Sequence, residues 1–127
     1  MDTVLPRTKI LVIDDDPLQR ELIRAIFEDA KYEVIQAEDA VAGFELAITF
    51  MPQLIVTDMR MSRMTGLEFI QKTRKDERLK HIPIVVSTAM HSAQQAVECL
   101  RAGASDYLTK PINPAVFGQK VRKILGH

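Results

Sequence analysis

Three carboxylates in this 127-residue sequence stand where short apolar runs stop. Asp14 and Asp15 follow Ile10-Leu11-Val12-Ile13, and Asp58 follows Leu54-Ile55-Val56-Thr57. Thr88 closes the run Ile84-Val85-Val86-Ser87, and Lys110 follows Tyr107-Leu108-Thr109. If these run ends meet in one crevice, the carboxylates repel one another and need protons or a cation to persist. Mg²⁺ suits them, because it takes oxygen ligands and commonly combines one or two carboxylates with waters and a phosphate. Lys110 adds a positive point charge suited to a phosphoryl oxygen, and Thr88 a hydroxyl donor. A carboxylate nucleophile, a metal, an ammonium and a hydroxyl together make a phosphoryl-acceptor site.

That chemistry requires elements that bring the five ends together. Glu33-Val34-Ile35-Gln36-Ala37 is a further run, which gives five. Three of the five are nearly continuous apolar stretches, as expected of parallel strands covered on both faces. Between them lie segments with helical spacing. The first is marked by Leu18, Leu22, Ile26 and Ala30, with Ile23 and Phe27 beside them. Phe44, Ala47 and Ile48 mark the second, and Leu67, Phe69 and Ile70 the third. Ala93, Val97 and Leu100 mark the fourth, and Val116, Val121, Ile124 and Leu125 the fifth. Asp16-Pro17 and Asn113-Pro114 place a capping side chain before a proline at the first helical position. Thr65-x-x-Glu68 and Ser92-x-x-Gln95 match the capping box, and Gly103 suits a helix stop. Five strands alternating with five helices predict an α/β, (βα)5 doubly wound five-stranded parallel sheet. In such sheets ligands sit at the carboxyl ends of the strands near the switch point, which is where the five polar groups fall.

The composition narrows the function classes. Lys plus Arg and Asp plus Glu number 17 each, so the formal net charge is zero and the basic excess of a duplex-binding surface is absent. Direct nucleic-acid binding by this segment is therefore not expected. The single cysteine, Cys99, makes no internal disulfide, which fits a cytoplasmic setting. No apolar run reaches the roughly 18 residues of a membrane span, and Met1 to Lys9 lacks a signal-peptide core. A single domain over 1–127, with its core at about 9–125, is expected.

The blocks Ile10 to Pro17, Leu54 to Asp58 with Met64-Thr65-Gly66-Leu67-Glu68, Pro83 to Ala89, and Ala102 to Pro111 resemble those of receiver domains from two-component response regulators. The resemblance runs from about Lys9 to Leu125 with every block in order. It implies the flavodoxin-like strand order 2-1-3-4-5, a topology for which this family is itself a standard example. It also implies that Asp58 is the phosphoacceptor, served by the phosphohistidine of a histidine kinase or phosphotransfer protein. Asp14 and Asp15 would be the metal pair, Asp15 direct and Asp14 partly through water, with the backbone carbonyl of Arg60 on the same Mg²⁺. Lys110 would pair with the acceptor or its phosphoryl group. Thr88 and Tyr107 would be the switch pair, the ring turning inward as the hydroxyl moves toward the phosphoryl group. Lys110-Pro111 is a candidate cis peptide.

Two residues depart from the family pattern: Ser62 stands where many receivers have proline, and Arg63 where a smaller or acidic residue is usual. That loop is expected to be more mobile than average. Arg60 and Met90 border the path of an attacking water and are expected to influence the lifetime of the acyl phosphate.

Blander roles compete at several positions. Asp16 reads as a helix cap, and Met59, Met61, Met64 and Met90 as adaptable packing. His81, His91 and His127 share no ligand spacing. Cys99 reads as a small buried hydrophobe, and Lys72, Arg74, Lys75, Arg78 and Lys80 as a solvated face.

The favoured function is a signalling switch, not an enzyme beyond its own phosphoryl transfer and autodephosphorylation, whose fourth helix, fifth strand and fifth helix face an unknown downstream effector. A metal-dependent phosphohydrolase with an aspartyl-phosphate intermediate is the alternative from another class. It needs an acid–base carboxylate two residues after the nucleophile, where this chain has Arg60. A degenerate interaction domain is the third reading, and a homodimer through the fourth and fifth helices is left open.

Overall fold

The structure, a computed structural model, describes residues 7–28, 31–61, 63–89 and 93–127. Each apolar run is a strand: β1 (Thr8–Ile13), β2 (Tyr32–Ala37), β3 (Leu54–Asp58), β4 (Ile84–Thr88) and β5 (Asp106–Thr109). Between and after them lie α1 (Pro17–Ile26), α2 (Ala40–Phe50), α3 (Gly66–Lys75), α4 (Ala93–Ala102) and α5 (Pro114–Leu125). All pairings are parallel and the order is β2-β1-β3-β4-β5, as predicted. Among the described residues, no helix is long and apolar enough to cross a membrane.

The strands alternate their side chains between two cores. Ile10, Val12, Leu54, Val56 and Val85 face α1 and α5, meeting Ile23, Phe27, Phe117 and Val121. Leu11, Ile13, Ile55, Ile84 and Val86 face α2, α3 and α4, meeting Ala40, Phe44, Ala47, Phe69, Ile70 and Cys99. Period-two alternation on strands that are covered on both sides accounts for both sets being apolar. It also fixes register, since a one-residue slip would exchange the two cores.

The predicted caps are present where they can be seen. Asp16 accepts from the Leu18 amide at 2.9 Å and Asn113 from Ala115 at 3.0 Å, each before a proline. Thr65 and Glu68 form the reciprocal capping box. Gly103 ends α4 with φ +118°, and the Lys110-Pro111 bond is cis. The Ser92 box begins outside the described residues, where Ala30, Ser62, Met90 and His91 also lie.

Several apolar positions do not take the burial that their spacing suggests. Leu18 is 78% exposed, while Ile23 and Phe27 carry the buried face of α1. At about 100° per residue, Leu18 lies roughly opposite Phe27 on the helix, so it cannot share that face. Val97 is likewise roughly opposite buried Cys99, while Leu100 and Val116 lie about 100° round the helix from buried Cys99 and Phe117, and all three stay outside.

Arg74 does not belong to a solvated face. Its guanidinium donates to the carbonyls of Gly103 (3.0 and 2.8 Å), Ile82 (2.7 Å) and Lys80 (3.1 Å). It therefore ties α3 to the turn before β4 and to the α4–β5 turn. A side chain on Gly103 would collide with the Arg74 stem at 2.8 Å, so the left-handed turn and the arginine fit each other closely.

Candidate functional site

β1 and β3 are adjacent and in register, Ile13 opposite Thr57. The residues that follow, Asp14 and Asp58, therefore emerge side by side from the carboxyl edge. β4 and β5 end one and two strands farther along with Thr88 opposite Thr109, so Lys110 leaves the same edge. Thus the sheet alone brings the predicted polar ends together.

One carboxylate oxygen from each of Asp14, Asp15 and Asp58 lies within 4.8 Å of the others. Asp14 and Asp58 are buried and Asp15 is exposed. The Lys110 ammonium bridges the two buried members, 3.0 Å from Asp14 Oδ2 and 3.3 Å from Asp58 Oδ2. Among the described residues, Lys110 is the one cation paired with these carboxylates, and Asp15 has no ion pair, which leaves a local excess of negative charge. Burial pushes the Asp58 carboxyl above the ordinary carboxylate range; Lys110 pulls it down, Asp14 adds to the rise, and the Arg60 amide opposes it. Burial works against the Lys110 ammonium, but the hydrogen bond it donates to Asp14 and the charges of Asp58 and Asp14 outweigh it and raise its pKa.

The individual oxygens are not equivalent. Asp14 Oδ1 accepts from the Asp16 amide at 2.9 Å while Oδ2 takes Lys110, so both are occupied within the chain. Among the described residues, the Asp15 carboxylate has no hydrogen-bond or ion-pair partner. It is the one free to meet a cation without displacing a protein contact. Asp58 Oδ1 lies 3.5 Å from the Arg60 amide, at the limit of a hydrogen bond. A hard cation with oxygen ligands fits this donor set and its uncompensated charge.

Thr88 is buried at the end of β4. Tyr107 stands opposite Val86 on the neighbouring strand, on the same sheet face as Thr88 two residues on. Tyr107 is 36% exposed. The Arg60 side chain is also exposed.

Three supporting features escaped the sequence reading. Arg20, on the second turn of α1, donates to the Asp14 carbonyl at 2.7 Å and to Gln36 at 3.1 Å, holding the end of β1. Gly66 starts α3 against the acceptor's own backbone; a Cβ there would overlap the Asp58 carbonyl oxygen and stand 2.9 Å from Met59 Cα. Asp39 caps α2 through the Ala42 amide at 2.8 Å and receives Arg63 at 3.4 Å. A glycine just after a capping threonine, and an aspartate before an alanine-rich helix, are visible signals. The Arg20 and Arg63 contacts run between segments distant in sequence, and no local pattern announces them.

The family model for the response regulator receiver domain matches residues 10–122. The DNA-binding dual master transcriptional regulator RpaA of Synechocystis sp. is 38% identical over 92% of this chain, which spans 48% of that protein. Chemotaxis protein CheY1 of Helicobacter pylori is 34% identical, covering 93% of this chain and 97% of its own. Among solved structures, chemotaxis protein CheY4 of Vibrio cholerae superposes with a TM-score of 0.87 at 29% identity, covering 94% of this chain and 99% of its own.

Proposed function

The chain belongs to the response regulator receiver domain family, and from that membership we propose that it is a Mg²⁺-dependent phosphorylation switch with Asp58 as the acceptor. One observation carries the reading: Asp14, Asp15 and Asp58 offer oxygens within 4.8 Å of one another while Lys110 bridges Asp14 and Asp58. Asp14, Asp15, Asp58 and the Arg60 carbonyl would hold the metal. Bound there, Mg²⁺ supplies positive charge to the oxygens of the phosphoryl group in transfer.

The chain's own groups do the rest. Above its pKa, the Asp58 carboxylate attacks the phosphorus of a phosphohistidine on a histidine kinase or phosphotransfer protein. An Asp58 O–P bond forms, the N–P bond of the donor breaks, and its imidazole leaves. Burial disfavours charged Asp58, and the acyl phosphate brings further negative charge to the same place, which Lys110 and a bound cation would offset. Lys110, 3.3 Å from Asp58 Oδ2, would pair with a phosphoryl oxygen there. Thr88 offers its hydroxyl to another. Water attack on the phosphorus later releases phosphate and restores the carboxylate, with exposed Arg60 beside the water's path.

The readout is Tyr107. The partly exposed Tyr107 would turn in as the Thr88 hydroxyl moves toward the phosphoryl group. Tyr107, Val97, Leu100 and Val116 form exposed apolar surface on β5, α4 and α5, which suits a downstream effector or a second copy of the chain. A zero formal net charge supports an output through protein contacts rather than direct nucleic-acid binding by this segment, in a cytoplasmic setting. The phosphohydrolase alternative is disfavoured because exposed Arg60 occupies the place of its acid–base carboxylate.

Intact-mass spectrometry after incubation with a small acyl phosphate tests the reading. A single phosphate adduct that requires Mg²⁺ and is lost in Asp58→Asn supports it. An adduct retained by that variant places the acceptor elsewhere and refutes the assignment.

A further inference from the structure

Among the described residues, two other than glycine have a positive φ: Met51 at 48°, the C-cap of α2, and Arg63 at 76°. Met51 has the ordinary reason of a helix end. Arg63 does not, because it lies in the loop between β3 and α3, where glycine or asparagine would adopt the same conformation at less steric cost. What arginine adds there is reach. Its Nη1 lies 3.4 Å from Oδ2 of Asp39, whose side chain is 10% exposed and which belongs to the loop between β2 and α2.

The anchor is stiff. Asp39 Oδ1 is taken by the Ala42 amide at 2.8 Å, and its carbonyl accepts from Gly43 at 2.9 Å. Gly43 in turn packs against the side chain of Ile13, the residue before Asp14. The far end of the Arg63 loop is fixed as well, by Gly66 donating to the Met59 carbonyl at 3.0 Å and by the Thr65–Glu68 box. Between these fixed points lies Arg60, whose amide approaches Asp58 Oδ1.

We propose that Arg63 is a positioning residue of the acidic site, latching the β3–α3 loop to Asp39 so that the Arg60 backbone is held beside Asp58. This rests on the phosphoacceptor reading, in which the Arg60 carbonyl is a metal ligand. On this account Arg63, one of the residues that depart from the family pattern, holds its own position in place instead of loosening it. The latch acts on geometry, not on charge at the metal, so its loss weakens cation binding without unfolding the chain.

The test compares wild type with Arg63→Gly, Arg63→Lys and Asp39→Asn, the last of which keeps a capping side chain. Two readouts are used: amide hydrogen exchange without metal, and calorimetric titration with MgCl2. The expected result is several-fold faster exchange at Arg60, Met61 and Met64 in Arg63→Gly. Its Mg²⁺ Kd should rise about two- to fivefold, the range an exposed ion pair provides. Its Tm should stay equal or rise, because glycine relieves the positive φ; a merely structural role would lower Tm and affinity together. Arg63→Lys should recover most of the affinity, and Arg63→Gly on the Asp39→Asn background should weaken it no further. Unchanged exchange and unchanged Kd in Arg63→Gly overturn the latch, as do fully additive effects of the two substitutions. Wild-type protein that takes up no Mg²⁺ overturns the metal reading and the proposal with it. That failure is told apart because the exchange comparison uses no metal.

Discussion

Replacing Arg74 with methionine is expected to destabilise the chain by about 2–4 kcal/mol. Methionine keeps an unbranched stem to fill the space beside Gly103, so the substitution chiefly removes donors. Wild-type Arg74 gives two contacts to the Gly103 carbonyl and one each to those of Ile82 and Lys80. The Lys80 oxygen can turn to water. The partly buried Gly103 and Ile82 carbonyls then lack a donor, each costing about 1–3 kcal/mol. Against this, burial holds the guanidinium pKa below its ordinary value, so removing the charge returns part of a desolvation cost. For a domain of this size about 3 kcal/mol corresponds to a fall of roughly 10 °C in Tm. Urea unfolding followed by far-UV circular dichroism, with the slope checked against wild type, measures the difference. Arg74→Lys, with one donor group, should fall in between. Because Arg74 lies away from the acidic site, Mg²⁺-dependent phosphorylation of the folded variant should keep its wild-type rate. A loss below about 0.5 kcal/mol, within the scatter of ordinary surface substitutions, would return Arg74 to the solvated face and refute the reasoning.

Other outcomes follow from the acidic site. Lys110→Met leaves Asp14 and Asp58 without their shared cation and should destabilise metal-free protein by about 3 kcal/mol, as breaking a buried pair does. Calorimetry should show tighter Mg²⁺ binding in that variant, and weaker binding would contradict the charge argument. Gly66→Ala presses a Cβ onto the Asp58 backbone and should cost about 1–3 kcal/mol in urea unfolding while slowing adduct formation. Asp58 predicts a pH dependence. Its folded pKa is raised, so between the ordinary and raised values the native state binds more protons than the unfolded chain, and stability falls as pH rises through that window. Asp58→Asn removes this slope, so metal-free variant and wild type should diverge in the variant's favour as pH climbs above the ordinary carboxylate pKa of about 4. Parallel stability profiles would exclude the shift.

The sequence by itself determined the order of elements, most of their caps and the identity of the acidic site. Runs such as Ile10 to Ile13 and Leu54 to Thr57 are apolar at consecutive positions because parallel strands bury both faces. The places where they stop are therefore sharply marked by charge. Right-handed crossovers then send Asp14, Asp58, Thr88 and Lys110 to one edge, so a local pattern and a general topological rule suffice to predict a shared crevice. Only the tertiary structure decided which apolar helix positions face the sheet. Leu18, Val97, Leu100 and Val116 share the spacing of core residues, but each lies about 100° or more round its helix from a buried residue (Phe27, Cys99 or Phe117), and which of them turns to the sheet is set by packing. It also decided the work of the long cations. An arginine side chain spans several ångströms and takes its partner from whatever the fold brings near. Arg74 could thus read as a solvated charge beside Lys72 and Lys75, when its partners are carbonyls of two other segments. Arg63 likewise finds Asp39 across 24 positions of sequence, a pairing created when β1 enters between β2 and β3 and sets their carboxyl ends around one site.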